Sequence, residues 1–254
     1  MTTSPMSGRT ALVTGAASGI GRAIAQRFAA DGATVVVVDR AAEPLAALAE
    51  EIGATALTLD LSDIAGLTDA VGQVAGTVDI LVNNAGVQHV APIPEFPIET
   101  FESIQRLMVT APFVLSRAVL PGMYERGWGR LVHISSAHGR RASPFKVAYV
   151  TAKHGLEGLS KVIALEAAAH GVTSNCINPG YVRTPLVDAQ IKDQAAAHGI
   201  SEDEVIEQVI LASSPIKRLM DPAEVAGAAA YLCGPGSASI TGSDLVLDGG
   251  WGAR

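Results

Sequence analysis

Near its beginning the chain reads Thr10-Ala11-Leu12-Val13-Thr14-Gly15-Ala16-Ala17-Ser18-Gly19-Ile20-Gly21. The apolar start of this run is typical of a buried strand, and the residues from Gly19 onward are typical of a helix. Gly15 permits a tight turn, Gly19 lets backbone approach a pyrophosphate, and Gly21 lets helix and strand pack closely. Because the N–H groups that open a helix attract phosphate, we predict that this strand–turn–helix unit binds a dinucleotide.

Strand-like and helix-like stretches alternate from this unit to the far end of the chain. Continuous runs of Val, Ile and Leu indicate strands that are covered on both faces, as in a parallel sheet. We therefore predict a single α/β domain over residues 1–254, a Rossmann-type doubly wound parallel sheet of about seven strands with helices on both faces. The strands predicted after the first are Thr34 to Asp39, Ala54 to Leu59, Asp79 to Val82, Arg130 to Ile134 and Thr173 to Ile177.

One long segment departs from this alternation, from about Pro185 to Pro222. It contains two polar helical patterns that are separated at His198-Gly199. Segments of this kind can close over a site, so we expect a small helical lid here.

Composition and charge argue against several classes of protein. With 254 residues and 48% hydrophobic content the chain can bury a sizeable core, whereas a net charge of −7 without a basic run argues against nucleic acid as a partner. The longest apolar runs, such as Ala33 to Val38, are far shorter than the ~20 residues that span a bilayer. Residues 1–7 lack a signal-peptide pattern, and Cys176 and Cys233 lack metal-ligand spacing. We expect a cytoplasmic protein with reduced thiols that binds no metal, nucleic acid or membrane.

Asp39 ends the second predicted strand, where a carboxylate can accept hydrogen bonds from the hydroxyls of an adenosine ribose. A 2′-phosphate at that place would meet a like charge, at a cost of up to ~4 kcal/mol at ~4 Å with an effective dielectric constant near 20. Arg40 could turn toward a phosphate instead, but we expect it to be a solvated loop residue. The sequence therefore predicts NAD in preference to NADP. The residues predicted to line this cofactor are Gly15, Ser18, Gly19, Ile20, Gly21, Asp39, Asp60, Leu61, Asn84 and Gly86.

A second constellation lies downstream, at Ser136, Tyr149 and Lys153. Tyr149 and Lys153 are four residues apart in a predicted helix, so at ~100° per residue they share one face. An ammonium beside a phenol favours the phenolate, which an isolated tyrosine forms only near pH ~10. Ser136 closes a predicted strand, and its hydroxyl can project from the carboxyl end of that strand. Together these side chains predict a proton-transfer site.

These patterns resemble the short-chain dehydrogenase/reductase family over nearly the whole chain. The resemblance is carried by the glycine turn, Asn83 to Gly86, Ser136, Tyr149, Lys153, Pro179-Gly180 and Asp248-Gly249-Gly250. Within that family the chain is similar to the bacterial D-3-hydroxybutyrate dehydrogenases. The matching runs are Gly86 to Ile93, Gly127 to Arg130, Ser135 to Gly139, Pro144 to Tyr149, Thr184 to Val187 and the close at Trp251.

The resemblance implies a role for each matching residue. Tyr149 would be the acid/base, Ser136 the hydrogen-bond donor to the carbonyl, and Lys153 the cation that binds the ribose. It also implies a homotetramer. Lys146 can supply a positive charge to the carboxylate of a short hydroxy acid, and the amide and imidazole groups can supply donors. The further residues implied are Gln88, His138, Lys146 and Gln190 at the substrate carboxylate, Trp251 near the substrate, and Val182 and Thr184 at the nicotinamide carboxamide.

Two positions depart from the family pattern. Met108 stands where the family carries an Asn that helps to hold a water in a proton relay to the lysine, and a thioether cannot replace that amide directly. Tyr181 stands where close relatives often carry Trp, which keeps an aromatic wall but changes the volume of the pocket. Neither change removes Ser136, Tyr149 or Lys153.

The interpretation favoured by these residues is reversible NAD-dependent oxidation of a short 3-hydroxy acid such as D-3-hydroxybutyrate. One alternative is a short-chain reductase for another ketone, such as a 3-oxoacyl thioester, which lacks the free carboxylate that Lys146 would pair with. The other alternative is a nucleotide-binding sensor that has lost turnover, an interpretation supported by Met108 alone.

Overall fold

The computed structural model of the chain describes residues 4–253, except for the side chains of residues 186, 189, 193, 194 and 196–198. The outer bounds of the predicted domain, residues 1 and 254, lie outside the described residues. Seven parallel strands form one sheet in the order β3-β2-β1-β4-β5-β6-β7. They are β1 (Thr10–Thr14), β2 (Thr34–Asp39), β3 (Thr55–Thr58), β4 (Ile80–Asn83), β5 (Gly129–Ile134), β6 (Val172–Pro179) and β7 (Asp244–Leu247).

Helices connect these strands and cover the sheet. They are α1 (Gly19–Ala30), α2 (Ala42–Ile52), α3 (Ile64–Gly72), α4 (Ile98–Gln105), α5 (Ala111–Arg126), α6 (Val147–Ala167), α7 (Pro185–His198), α8 (Glu202–Val205) and α9 (Pro222–Cys233). The predicted Rossmann-type fold is confirmed, and the predicted strands are present with ends that differ by at most two residues.

Successive residues of the central strands point to opposite faces of the sheet, and both faces are apolar. Val13 of β1 packs in a cluster with side chains of α1, α2 and α9, whereas its neighbour Leu12 packs with side chains of α3, α5 and α6. Because both faces are covered in this way, the strands are apolar at nearly every position, which is the pattern that the sequence showed. Strand order reverses at β1, which pairs with β2 on one side and with β4 on the other. A crevice at the carboxyl ends of strands is expected at this point.

Helix α4 continues into α5 through a π-helical turn at Arg106–Thr110. Among the described residues, Ile98–Arg126 is the one stretch that is long and apolar enough to cross a membrane by length and composition, with a mean hydropathy of 1.3. Since 44% of that apolar window is buried in the fold and a core helix passes the same test, the finding is weak evidence for a membrane span.

His133 of β5 is fully buried and joins three neighbouring strands. Its Nδ1 lies 3.1 Å from Nδ2 of Asn83, which can only donate, so the proton of the neutral ring is on Nε2, 3.2 Å from Oγ of Ser174. Burial, followed by the charge of Lys153, lowers the pKa of His133 from 6.5 to about 3. The imidazole is therefore neutral in the fold, whereas the unfolded chain protonates it near its ordinary pKa.

Stability should therefore fall as the pH drops from about 6.5 toward 3, because the unfolded chain binds this proton and the folded chain does not. Between pH 7 and pH 5 the linkage amounts to about 2 kcal/mol. His133→Asn should be less stable overall, yet lose less of its free energy of unfolding over this interval than the unmodified chain does. Urea titrations at pH 7 and pH 5, at matched protein concentration, give the free energy of unfolding of each protein and hence its loss over this interval. Equal losses for the two proteins would show that His133 is not the group responsible.

Candidate active site

The glycine turn after β1 has backbone angles and close contacts that only glycine accommodates at Gly15, Gly19 and Gly21. Gly15 and Gly19 have φ angles of +64° and +54°, and a Cβ on Gly21 would collide with the carbonyl oxygen of Gly15. Asn84, at the end of β4, fixes the turn because its Nδ2 donates to Thr14 O at 2.9 Å and its N–H donates to Thr14 Oγ1 at 2.9 Å. These hydrogen bonds join the carboxyl ends of β1 and β4, the neighbouring strands at which the strand order reverses.

Helix α1 begins without a side-chain cap. Ser18 occupies the N-cap, but its hydroxyl forms no capping hydrogen bond, so the N–H groups of the first turn remain available to an anion. These uncapped groups, and the cavity that Gly15 and Gly19 line, fit a pyrophosphate.

Asp39, at the end of β2, is already tied to the turn. Its Oδ2 accepts from the N–H of Ala17 at 3.1 Å, and its Oδ1 accepts from the N–H of Ala41 at 3.0 Å. The carboxylate is therefore held in place beside the turn, where its remaining lone pairs can accept from ribose hydroxyls. This structural role of Asp39 was not anticipated from the sequence.

A cavity of about 340 Å³ opens along the carboxyl ends of the strands. Apart from Gly21, which packs under the turn, each residue predicted to contact the cofactor lies in its lining, and so do all three predicted catalytic residues. Arg40 lines it as well. The predicted site residues that line the cavity are Gly15, Ser18, Gly19, Ile20, Asp39, Asp60, Leu61, Asn84, Gly86, Ser136, Tyr149, Lys153, Val182 and Thr184.

Ser136, Tyr149 and Lys153 come together in the wall of this cavity. Helix α6 carries Tyr149 and Lys153 on one face, with Nζ of Lys153 5.5 Å from the centre of the Tyr149 ring. Lys153 is buried and donates to the carbonyl oxygen of Ile134 at 2.6 Å. Burial lowers the pKa of Lys153 to about 8, so the ammonium is still the main form at neutral pH.

The pKa of Tyr149 is governed by burial rather than by the lysine. Burial raises this pKa, and the hydrogen bond with Ser136 opposes the rise. From the sequence we expected the neighbouring ammonium to contribute part of a shift in the opposite direction, toward the phenolate. The apolar side of the site, where Tyr149 packs beside Ala148 and Ala152, explains the difference. Positive charge nearby favours the phenolate against this effect of burial.

His138 links the reacting groups to the predicted substrate pocket. Its ring centre lies 6.1 Å from that of Tyr149 and 5.5 Å from that of Trp251, and its Nδ1 lies 3.5 Å from Ser136 Oγ. Nε2 is 2.9 Å from Oγ of Ser143. Burial and then the charge of Lys146 lower the pKa of His138 to about 4, so the imidazole beside the Ser136 hydroxyl is neutral.

Lys146 brings a cation to the same region. Its Nζ lies 5.7 Å from the centre of the Tyr181 ring, and it is close enough to His138 to affect its charge state. The preceding residue, Phe145, has a φ of +68°, an unusual conformation for a residue with a side chain. The carbonyl oxygen of Phe145 accepts from the N–H of Ala91 at 3.0 Å, which joins this loop to the segment after β4.

The structure does not bring every predicted substrate residue into one set of contacts. Gln88 and Gln190 are half-buried, and neither forms a side-chain hydrogen bond with another described residue. Gln190 lies on α7, in the segment predicted to be a lid. His138, Lys146, Trp251 and these two glutamines are outside the wall of the cofactor cavity.

Met108 is fully buried in the π-helical turn between α4 and α5. It packs in an apolar cluster with Ala148 and Ala152, and a Cβ on Gly86 would lie 3.4 Å from its Cε. The thioether therefore fills the space between the cofactor loop and helix α6. π-Helical turns are frequent at functional sites, and this one is present although the side chain is apolar.

A buried polar layer behind the site was not anticipated from the sequence. Glu157, on α6, accepts from Ser135 Oγ at 2.7 Å and from Asn178 Nδ2 at 2.5 Å, and that same amide donates to the carbonyl oxygen of Ser136 at 3.0 Å. The spacing of four residues from Lys153 places Glu157 on the same helical face, and this spacing could have identified it. Asp244 of β7 lies against Glu157, a contact that could not have been predicted from the sequence.

Comparison with known proteins agrees with this geometry. A family model described as short chain dehydrogenase matches residues 9–195. The chain is 44% identical to the D-beta-hydroxybutyrate dehydrogenase of Rhizobium meliloti over 97% of its own length and 99% of that protein. It is 40% identical to the D-beta-hydroxybutyrate dehydrogenase of Cupriavidus necator, over 98% of this chain and 100% of that one. A solved structure of a variant actinorhodin polyketide ketoreductase with NADPH is also similar, with a TM-score of 0.90 and 35% identity over 97% of this chain and 98% of that one.

Proposed function

We propose that this chain, which belongs to the short-chain dehydrogenase family and is an oxidoreductase acting on a CH–OH group, interconverts D-3-hydroxybutyrate or a similar short 3-hydroxy acid and acetoacetate with NAD. The observation that carries the proposal is the cation of Lys146 beside His138, next to the hydroxyls of Ser136 and Tyr149. A short hydroxy acid offers one hydroxyl and one carboxylate, and this arrangement provides a place for each.

The chemistry of the reacting centre follows from three side chains. NAD, when bound, accepts the hydride from the carbinol carbon. Ser136 orients the substrate oxygen, and Tyr149 takes the hydroxyl proton as a general base. Because burial raises the pKa of Tyr149, the base form depends on positive charge nearby, which Lys153, on the same helical face, and the nicotinamide ring of bound NAD would supply together.

The other end of the substrate would be held by charge and hydrogen bonds. Lys146 would pair with the carboxylate, and neutral His138 would donate to it or to the hydroxyl. Gln88 and Gln190 would add donors when the segment from about 185 to 222, which we propose is a lid, closes over the substrate. Trp251 stands behind the His138 ring and would limit the length of the acid.

A spectrophotometric assay of NAD reduction with D-3-hydroxybutyrate tests the proposal directly. Turnover with the D enantiomer, and little with the L enantiomer, is the expected result. Reduction of a 3-oxoacyl thioester with NADPH, without oxidation of the hydroxy acid, would favour the ketoreductase alternative to which the actinorhodin relative points. Binding of NAD without turnover of either substrate would favour a nucleotide-binding sensor.

Lys146→Ala should raise the KM for D-3-hydroxybutyrate at least about tenfold, because a hydrogen bond to a charged group contributes ~1.5–3 kcal/mol. The methyl ester, which has no charge, should be affected much less. Lys146→Arg keeps the charge and is the matched control, expected to retain most of the affinity for the acid. A uniform loss for acid and ester would contradict the assignment of Lys146 to the carboxylate.

Met108 should make oxidation slow near neutral pH, since no amide stands at this position to hold a relay water. The rate should recover partly at alkaline pH, where hydroxide can deprotonate Tyr149 without a relay. Met108→Asn should then raise kcat more near neutrality than at alkaline pH and leave NAD affinity little changed. Superimposable pH–rate profiles of the unmodified chain and Met108→Asn would show that proton transfer does not use this position. If the unmodified chain is inactive and Met108→Asn is active, the result would favour the sensor alternative.

We also propose a cytoplasmic homotetramer that engages neither nucleic acid nor membrane. Exposed apolar side chains on α5 and α6 support self-association, since Phe113, Val162 and Leu165 are 49%, 52% and 83% exposed. Light scattering of the purified protein measures the assembly.

A further inference from the structure

Behind Lys153, two carboxyl groups meet inside the fold. Glu157 is 4% exposed, and Oε1 takes both of its hydrogen bonds, from Ser135 and Asn178. No donor among the described residues reaches Oε2. Asp244, at the start of β7, lies against Glu157, and a carboxylate oxygen of each and the Cys176 sulfur are all within 4.8 Å of one another.

One proton must be shared by this pair, because two ionised carboxylates this close and this buried repel strongly. The proton belongs on Glu157, the more buried of the two: the Asp244 side chain is 19% exposed and lies 3.8 Å from Arg140 and 3.9 Å from Lys161. Burial and then the hydrogen bond with Asp244 raise the pKa of Glu157, in agreement with this placement. Oε2, which accepts no hydrogen bond from another described residue, is the oxygen left to carry this proton.

The protonation state of Glu157 matters because the residue lies one helical turn after Lys153. An ionised Glu157 would be a counter-ion for that ammonium. In the described part of the chain, no other titratable or charged group that faces the pair is a counter-ion for Lys153. His133 and Cys176 are neutral, since burial lowers the pKa of the imidazole and raises that of the thiol. Arg140 and Lys161 are cations and contact Asp244.

We propose that Asp244 and Glu157 together set the charge around Lys153. Asp244 holds the shared proton on Glu157, which leaves Lys153 without a counter-ion. The full positive charge of Lys153 then acts on the hydroxyl of Tyr149. The inference rests on the proposed function only for the roles of Tyr149 and Lys153. It also assigns a use to the hydrogen bonds of Glu157, which hold Ser135 and, through Asn178, the backbone of Ser136 against α6.

The test is the ionisation of Tyr149, measured as the phenolate absorbance of each protein minus that of the same protein carrying Tyr149→Phe. In Asp244→Asn the pair keeps one negative charge, but this charge moves to Glu157, nearer to Lys153. The Tyr149 titration should then shift to higher pH by about half a unit or more. The pH–rate profile of hydroxy-acid oxidation should shift in the same direction.

Two further variants separate this cause from others. Glu157→Gln is the amide counterpart of the protonated acid, with a carbonyl for Ser135 and Asn178 and an NH₂ for Asp244, so its Tyr149 titration should match that of the unmodified chain. In the double variant Glu157→Gln/Asp244→Asn no carboxylate can form beside Lys153, and the titration should lie at or below that of the unmodified chain. Circular dichroism and thermal midpoints establish that each variant is folded.

The sign of the shift decides the outcome. Loss of the Asp244 charge by itself would ease ionisation of Tyr149 and move the titration to lower pH. A titration of Asp244→Asn at or below that of the unmodified chain therefore overturns the proposal. If Asp244→Asn does not fold, Glu157→Gln alone remains decisive, because a downward shift there would show that Glu157 was ionised from the start. The titration uses no substrate, so failure of the proposed function would not be mistaken for failure of this inference.

Discussion

Tyr149→Phe should lower kcat by roughly two to four orders of magnitude, the range of a lost general acid or base, and change NAD affinity only a few-fold. The phenyl ring keeps the packing of Tyr149 against Ala148 and Ala152, so the variant removes little except the hydroxyl. Ser136 is hydrogen-bonded to that hydroxyl, and Nζ of Lys153 lies 5.5 Å from the centre of the Tyr149 ring. Steady-state rates and NAD binding by fluorescence titration measure the two effects separately.

The matched control is Tyr231→Phe, which removes a tyrosine hydroxyl from the exposed side of α9. It should leave both kcat and NAD affinity unchanged. Substantial residual activity of Tyr149→Phe would assign proton transfer to another group, and neutral His138, 3.5 Å from Ser136 Oγ, would be the first to examine.

NAD should exceed NADP in kcat/KM by about one to three orders of magnitude, which corresponds to an electrostatic penalty of up to ~4 kcal/mol on the 2′-phosphate. The structure strengthens the reason for this expectation. Asp39 cannot easily turn away from a phosphate, because each of its carboxylate oxygens accepts a backbone N–H, from Ala17 and from Ala41. Initial rates at varied cofactor concentration give the ratio.

Arg40 is the residue that could reverse this preference, since it is exposed and lines the same cavity. Arg40→Ala should leave the ratio of the two efficiencies nearly unchanged, whereas Asp39→Asn should bring them closer together. Equal use of the two cofactors, or a preference for NADP, would show that Arg40 rather than Asp39 governs the pocket.

The sequence predicted best the features that depend on residues close together in the chain. The glycine turn, the Tyr149–Lys153 spacing and the apolar strands are local patterns. The structure places residues of the turn, Tyr149 and Lys153 in the wall of one cavity, at the carboxyl ends of the strands where the strand order reverses. Strand β7 was not located individually, because it has four residues and is only half-buried, so its apolar run is short.

Features that depend on distant parts of the chain could not be predicted. Asp244 approaches Glu157 only because β7 pairs with β6, and Asp39 holds the glycine turn only because β2 pairs with β1. The effect of burial on Tyr149 has the same origin: this side chain packs against a cluster formed by α4, α6 and the π-helical turn, and burial there raises its pKa, whereas the sequence shows only the neighbouring ammonium.

The two buried thiols have a practical consequence for labelling chemistry. Burial raises the pKa of Cys233 to about 12 and also raises the pKa of Cys176, so neither forms the thiolate that maleimides attack. A single cysteine introduced at exposed Glu202, the first residue of α8, could therefore carry a fluorophore while both native cysteines are left in place. The emission of such a conjugate would report, in real time, whether the segment from 185 to 222 moves when NAD and hydroxybutyrate bind.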